Sequence, residues 1–525
     1  VAVCFLHGYA NPAHEQAMAA VLRQVYPKAT VTLSHELSRE YREYERTSTS
    51  VIDAYVKPIT RTYLERLDGE LQASGFKGHF LLTRSGGGAM TVASAREQPV
   101  HLVLSGPAGG VIGAAHLSHL IGQENLITLD MGGTSLDASL IAGGQPRLEN
   151  EQLFQTLPIS IPTIDIHTIG AGGGSIAWVD DGGHLQVGPQ SAGAVPGPAC
   201  YNKGGQAATF TDAALAVGYL DPNNFLGGEI KLEAALTQQA IEDLAGQLGL
   251  SFDETAAGIL RISIAKIAGA VRVISIEQGY HPRDFAILAF GGGGAFVAAR
   301  VARELSIPRV IVPPGPANFS AFGMLMVDVV HDYAQTYVTG LENVDIARLN
   351  EIYAGLLERG QAALIEDGFD EAHRTFVPLA ELRYQGQEHA VNLTMPGHHL
   401  SAGDVPNIIT TFNAAHQQQY GHSMNDPIEI VTLRLRAVGL LPRPEMPKIE
   451  SGASSANSAR KGTRSVYQYE QSRRVDYTIY DRGLLLGGDR IDGPAIIEEP
   501  SSTTVIHSGD VLTVGQYGEL VIDTV

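Results

Sequence analysis

Cysteine is almost absent from this chain, which carries only Cys4 and Cys200 in 525 residues. Two thiols so far apart build neither a disulfide framework nor a cysteine-ligated zinc site, and they suit a reducing compartment. Basic residues are scarce as well: 36 Lys and Arg against 56 Asp and Glu leave a formal net charge of -20, with no basic cluster. That balance speaks against nonspecific binding to nucleic acid or to an anionic membrane. No apolar run reaches the roughly 20 residues of a spanning helix, and the N-terminus has neither the basic start nor the cleavage site of a signal peptide. Together these absences point to a cytosolic protein. An initiator Met is lacking too: Val1-Ala2-Val3-Cys4-Phe5-Leu6 reads as a buried strand already under way, so upstream sequence is expected.

What the chain does have is apolar content (44%) and glycine (59 residues) gathered in clusters between apolar segments. At this length one core does not suffice, and two or three domains are expected. Up to about Gln123, helical spacing over Glu15 to Val25 and Thr49 to Ala73 alternates with short strands at His79 to Thr83 and His101 to Leu104, the mark of an α/β fold. Asn125 to Ile141 reads as strand, glycine turn, strand, and Ile161 to Val187 as a β-hairpin layer. Leu232 to Gln278 predicts two helices, the second apolar on nearly every side and therefore buried. Phe285 to Phe290 is a strand that runs into Gly291-Gly292-Gly293-Gly294 and a helix. After Asp332 come a helix pair and strands at Glu381 to Met395, Ile428 to Leu441 and beyond Arg464. This is a mainly β C-terminal domain over 333–525 with an exposed loop near 442–464.

Chemistry concentrates at the glycine turns. In Asp130-Met131-Gly132-Gly133-Thr134-Ser135, glycines let backbone amides approach phosphate oxygens, and Thr134 and Ser135 add hydroxyl donors. Asp130 ends a buried strand, where a carboxylate is costly unless it meets a cation, so a place beside hydrated Mg²⁺ fits it. An ordinary hairpin is the competing reading. Gly291 to Gly294 open a helix whose free N–H groups and positive end also suit a nucleotide. Neither cluster is a Walker loop or a dinucleotide fingerprint, because the Gly-Lys-Ser/Thr and the G-x-G-x-x-G patterns are both missing. Asp165 and His167, two apart on an extended segment before Gly172 to Gly174, face one side. They read either as a general base or substrate-facing pair, or as a hydrogen-bonded pair that fixes the glycine loop. His7 and His14 flank an Asn-Pro turn, as weak metal ligands or as capping and packing residues. Gly106, in a Ser-Gly-Pro turn, is expected to line a cleft with its backbone, Cys200 to be a packed thiol, and Arg383 and Gln387 to be structural.

The order of these turns resembles the actin, sugar-kinase and heat-shock-chaperone superfamily, with its ribonuclease H-like ATPase domains. Within it, several stretches resemble the hydantoinase/5-oxoprolinase family almost word for word. They include His7-Gly8-Tyr9-Ala10-Asn11-Pro12-Ala13-His14-Glu15, Ser105-Gly106-Pro107-Ala108-Gly109-Gly110, Asp130 to Thr134 and Asp165 to Ser175. Others are Gly188 to Tyr201, His281-Pro282-Arg283-Asp284, Arg383 to Gln387, Tyr420-Gly421-His422 and Gly493 to Pro500.

The resemblance implies an ATPase core over 21–332, preceded at 1–20 by the end of an N-terminal domain. The first phosphate hairpin of that domain is not in this sequence, so the ATPase fold is expected to be N-terminally incomplete. It further implies ATP and Mg²⁺ as cofactors, and nucleotide contacts from Gly106, Gly132, Gly133, Thr134, Ser135, Gly172, Gly173 and Gly291 to Gly294. Asp130, Asp165 and His167 become the candidate catalytic residues. The implied activity is ATP-dependent ring opening of a cyclic amide such as hydantoin, N-methylhydantoin or 5-oxoproline, through phosphorylation of the amide oxygen. The partner would be a hydantoinase B-type subunit in a hetero-oligomer, with any further divalent metal on that partner. A ketone carboxylase subunit of the acetone or acetophenone type is the alternative within the family. A nucleotide-dependent chaperone or reactivase is the alternative outside it.

Overall fold

The computed structural model of the chain describes residues 1–154, 156–452 and 455–524. Contacts divide them into two units, each assembled from three stretches of sequence: 1–109, 148–164 and 326–443 in the first, and 110–147, 165–325 and 444–525 in the second.

The second unit is organised by a nine-stranded sheet. Its centre is the strand Leu126–Met131, paired antiparallel with Leu136–Ala142 on one side and parallel with Ala286–Phe290 on the other. Both parallel strands are apolar runs buried along nearly their whole length, as a sheet covered on both faces requires. Arg309–Val312 continues the parallel set, and the chain's last strand, Leu520–Asp523, adds antiparallel to it. The helix Phe252–Ile274 begins at a capping box formed by Ser251 and Glu254 and buries Ile259, Leu260, Ile267 and Val271, while Arg261, Ala265, Lys266 and Arg272 stay exposed, so the helix expected to be apolar on nearly every side is buried on one side only. The helix Gly291–Leu305 follows directly from Phe290 and buries most of its length.

The first unit is built on a six-stranded sheet in which Ile428–Gly439 lies between Arg374–Tyr384 and Val329–Gly340. The helices Ile346–Glu366 and Val405–Tyr420 bury Leu349, Tyr353, Leu356, Ile408 and Phe412 in its core. The helix Glu43–Ala73 runs for 31 residues.

Several expectations change. His101 lies in a 3-10 turn (Pro99–Leu102) instead of a strand, because Pro99 opens the turn and cannot donate to a ladder. Gly106 stands in the first turn of the helix Ser105–Ile121 and not in a loop. The expected helix pair is two helices separated by strands. The loop near 442–464 contains a 3-10 turn (Ala456–Ala459) and the start of the strand Arg460–Gln468, and its residues 453 and 454 lie outside the described residues. Where the sequence drew one C-terminal domain, contacts divide 326–443 from 444–525, since the final strand completes the sheet begun at Leu126.

Candidate functional site

The antiparallel register of Leu126–Met131 against Leu136–Ala142 sets Asp130 directly opposite Asp137. Residues opposite each other in such a pair share a face, with Cβ atoms about 4.5–5.5 Å apart. Two carboxylates therefore converge just below the turn. Ser320 Oγ donates to Asp130 Oδ2 at 3.0 Å, and Thr168 Oγ1 donates to Asp137 Oδ1. Burial pushes both carboxyls above the ordinary range; for Asp130 the Ser320 hydrogen bond opposes it and the charge of Asp137 adds to it. Such a pair invites a divalent cation, which relieves both the burial and the repulsion.

The turn itself is exposed at Gly132, Gly133 and Thr134. The Gly132 N–H closes the turn on the Ser135 carbonyl at 3.1 Å. Among the described residues, the N–H groups of Gly133 and Thr134 donate to nothing. Thr134 Oγ1 accepts from Ser191 Oγ at 3.5 Å. The hairpin thus offers two backbone donors and a hydroxyl to an incoming anion.

Behind it stands the third glycine cluster. Gly173 N–H donates to the Gly132 carbonyl at 3.0 Å and Gly174 N–H to the Gly133 carbonyl at 2.6 Å, while Gly172 N–H donates to Ser175 Oγ at 2.8 Å. The Gly173 carbonyl accepts from Thr211 twice, through N–H at 2.9 Å and Oγ1 at 2.8 Å. A methyl group at Gly172 would stand 2.6 Å from the Thr134 backbone nitrogen. Gly172 and Gly173, expected to bind nucleotide, instead have their amides engaged within the protein. Their role is to buttress the turn, and only glycine allows so close an approach.

The helix Gly291–Leu305 opens beside Asp130, with Gly291 at φ 76°. A methyl group there would lie 2.6 Å from Asp130 Oδ1 and 2.5 Å from the Met131 carbonyl. Among the described residues no side chain caps this helix, and its positive end lies beside Asp130. Gly293 and Gly294 are buried, packed on Met131 and Leu129, whereas Gly292 is exposed. Gly292 borders a small pocket with Phe225, Phe296, Asn224 and Ser502.

Not every predicted residue joins this site. Asp165 lies 3.7 Å from Arg147 Nε, and burial raises its carboxyl pKa against the pull of Arg147 and His167. In the pairing of Ile166–Ile169 with Leu136–Ala142, Thr168 is opposite Asp137 but His167 is opposite Ala138. The pleat therefore turns His167 to the other face of the sheet from the two carboxylates. Gly106 is exposed, with nothing within 4 Å of an added Cβ. The close approach in that motif belongs to Gly110, where a methyl group would meet Phe290 at 2.5 Å and Ser320 Oγ at 2.8 Å.

His7 and His14 are not gathered with other ligands, and among the described residues no group of three or more His, Cys, Asp or Glu converges on a metal position. His7 Nδ1 meets the Tyr9 hydroxyl at 3.2 Å. The organising residue of that motif is fully buried Glu15, which accepts from Ser34 Oγ at 2.6 Å, Phe5 N–H at 3.0 Å, His35 N–H at 3.1 Å and the His35 ring at 2.7 Å. Cys200 is buried, its thiol pKa pushed far up by burial and then by Asp212, which makes it a packing residue. Arg383 pairs with Glu429 at 2.7 Å, and Gln387 meets the His416 ring at 3.3 Å.

Asp137, Ser320 and Thr168 were not singled out by sequence. Asp137 carries a readable signal, since it and Asp130 are equidistant from the centre of the turn. Ser320 carries none, being 190 residues from its partner.

Comparison with known proteins gives these features a context. The hydantoinase/oxoprolinase family description matches residues 46–333, and its C-terminal domain matches residues 341–520. The alpha subunit of caprolactamase from Pseudomonas jessenii is 35% identical over 97% of this chain and 74% of its own length. The gamma subunit of acetophenone carboxylase from Aromatoleum aromaticum is 30% identical over 100% of this chain and 74% of its own. The crystal structure of the ATP-dependent caprolactamase from Pseudomonas jessenii superposes with a TM-score of 0.92 at 34% identity, covering 99% of this chain and 77% of that one. The nucleotide-free structure of acetone carboxylase gives 0.79 at 27%, covering 100% and 76%. The expected family and the expected mixed α/β fold are both borne out.

Proposed function

The chain belongs to the hydantoinase/oxoprolinase family, and from that premise we propose that it binds Mg-ATP at the Asp130 hairpin and uses it to activate a cyclic amide for ring opening. The observation that carries this reading is the pair of half-buried, opposed carboxylates, Asp130 and Asp137, directly below two amides without a partner among the described residues. A half-buried like-charged pair is unfavourable in an ordinary hairpin and useful beside a cation.

In this reading Asp130 and Asp137 hold hydrated Mg²⁺, with Ser320 and Thr168 fixing their orientation. Gly133 and Thr134 N–H, with the Thr134 and Ser135 hydroxyls, bind phosphate oxygens. The N-terminal turn of the helix at Gly291 to Gly294 adds its positive end. Transfer of a phosphoryl group from ATP to the amide oxygen makes the ring carbon open to attack by water; the C–N bond then breaks to give an amine and an acyl phosphate, which a second water hydrolyses to carboxylate and phosphate. The protein's own work is positioning and charge neutralisation. Asp165 and His167 act one layer away, setting the strand that presents Thr168.

The known relatives named as subunits support a partner subunit of the hydantoinase B type. The greater likeness to the caprolactamase structure than to the acetone carboxylase one favours amide hydrolysis over ketone carboxylation. The test is ATPase activity of the chain assembled with its partner, measured with caprolactam, hydantoin, 5-oxoproline and acetophenone, each with and without bicarbonate. Stimulation by a cyclic amide without bicarbonate is expected. Stimulation only by the ketone with bicarbonate would replace the hydrolase with a carboxylase, and stimulation by none would end the reading.

A further inference from the structure

The first unit holds a cavity of about 610 Å³, unconnected with any role given above. It has the size of a small-metabolite site, and a neighbouring cavity of about 420 Å³ shares Arg39 and Arg359 as walls. Most charges lining it are already matched. Arg84, fully enclosed, pairs with Asp332 at 3.2 Å and meets His101 Nδ1 at 3.1 Å, and Asp332 also takes Arg436 at 2.9 Å. His331 is paired with Asp367 at 2.6 Å.

Arg39 and Arg359 are the exceptions. Both are half-buried, and among the described residues neither has a carboxylate within ion-pair distance. Arg359 lies over the Tyr333 ring, 4.5 Å from its centroid, and Arg39 Nε is buried without an acceptor. Burial first, and the charge of Arg39 second, hold the Arg359 pKa below its ordinary value, so the two guanidiniums act on each other. In a chain of formal net charge -20, two adjacent and partly desolvated guanidiniums without a counter-ion are a costly local arrangement. A carboxylate matches the fork geometry of guanidinium and relieves the repulsion. The same cavity is also lined by Glu36 and Glu366, exposed carboxylates with no ion-pair partner among the described residues. They disfavour a dianion such as phosphate and suit an ammonium group.

We propose that this cavity binds a small amino carboxylic acid, its carboxylate between Arg39 and Arg359 and its ammonium toward Glu36 and Glu366. Hydrolysis of a lactam gives a compound of this class, an amine and a carboxylate on one carbon chain. The site itself does not depend on that reading.

Titration calorimetry on the 525-residue chain tests it, with 6-aminohexanoate, L-glutamate, hexanoate and inorganic phosphate as probes. Binding of at least one amino acid is expected, tighter than hexanoate or phosphate, and weakened roughly tenfold or more by Arg39→Ala and by Arg359→Ala. Arg359→Lys, which keeps the charge and loses the fork, gives an intermediate loss and serves if the alanine variants do not fold. Glu366→Gln weakens the amino acids and leaves hexanoate unchanged. Asp130→Asn leaves amino-acid binding intact while removing Mg-ATP binding, which separates failure here from failure of the nucleotide site. Absence of binding by every probe, binding indifferent to the arginine substitutions, or phosphate binding tightest would overturn the proposal.

Discussion

Replacing Asp130 by Asn separates a ligand site from a structural hairpin, because the two readings predict opposite signs for stability. Asp130 is a half-buried carboxylate facing Asp137, with one hydrogen bond from Ser320. Its folded pKa is raised, so the folded state holds the proton more tightly than the unfolded one. Stability therefore falls as pH rises above the ordinary carboxyl pKa, the reverse of a salt-bridged aspartate. Asn keeps an oxygen for Ser320 and removes the charge. Relief of like-charge opposition is worth about 0.2–1 kcal/mol, a rise in melting temperature of about 1–3 °C at neutral pH for a domain of ordinary size. Mg-ATP at roughly 100 times its Kd stabilises the wild type by about 2.7 kcal/mol, or roughly 5–10 °C, and this shift disappears in the variant. Scanning calorimetry with and without Mg-ATP, at pH 5 and pH 8, reads both effects. The stability difference between variant and wild type is larger at pH 8. A variant that melts lower than wild type when empty and still responds to Mg-ATP would refute the reasoning.

Gly172→Ala places a methyl group against the Thr134 backbone, so the turn must shift; a stability loss of about 1–3 kcal/mol is expected, with nucleotide affinity falling more than the melting temperature alone explains. Glu15→Gln leaves an amide among four donors and costs about 2–3 kcal/mol, measured by urea unfolding at pH 7. Burial raises the Glu15 pKa, but the hydrogen bonds from Ser34, Phe5 and His35 outweigh it and hold the carboxyl below its ordinary value. Its stabilisation is therefore full above the ordinary carboxyl pKa and lost as pH falls through the lower folded one, so wild type and Glu15→Gln converge in acid.

The hairpin was legible because its strand-turn-strand pattern is local: apolar runs flank the turn, and the glycines mark where backbone must approach something closely. The helix after Gly291 was legible for the same reason. The strand expected at His101 failed because an apolar tripeptide after a proline has too little pattern to distinguish a strand from a 3-10 turn. The close packing in the Ser105 to Gly110 stretch falls on Gly110, four residues after Gly106, since which glycine of a helix faces a neighbour depends on tertiary packing. Gly172 and Gly173 looked like phosphate binders in sequence, but the acceptors that engage their amides are Ser175 Oγ and the Gly132 carbonyl of the turn. Ser320 and the Arg39 to Arg359 pairing depend on contacts between residues hundreds of positions apart, which no local period encodes.

A crystal structure of the chain with Mg²⁺ and a non-hydrolysable ATP analogue tests the central claim most directly. Phosphate oxygens are expected within hydrogen-bond reach of the Gly133 and Thr134 amides, and the metal beside Asp130 and Asp137. A nucleotide bound elsewhere, with the hairpin carboxylates facing only water, would contradict it.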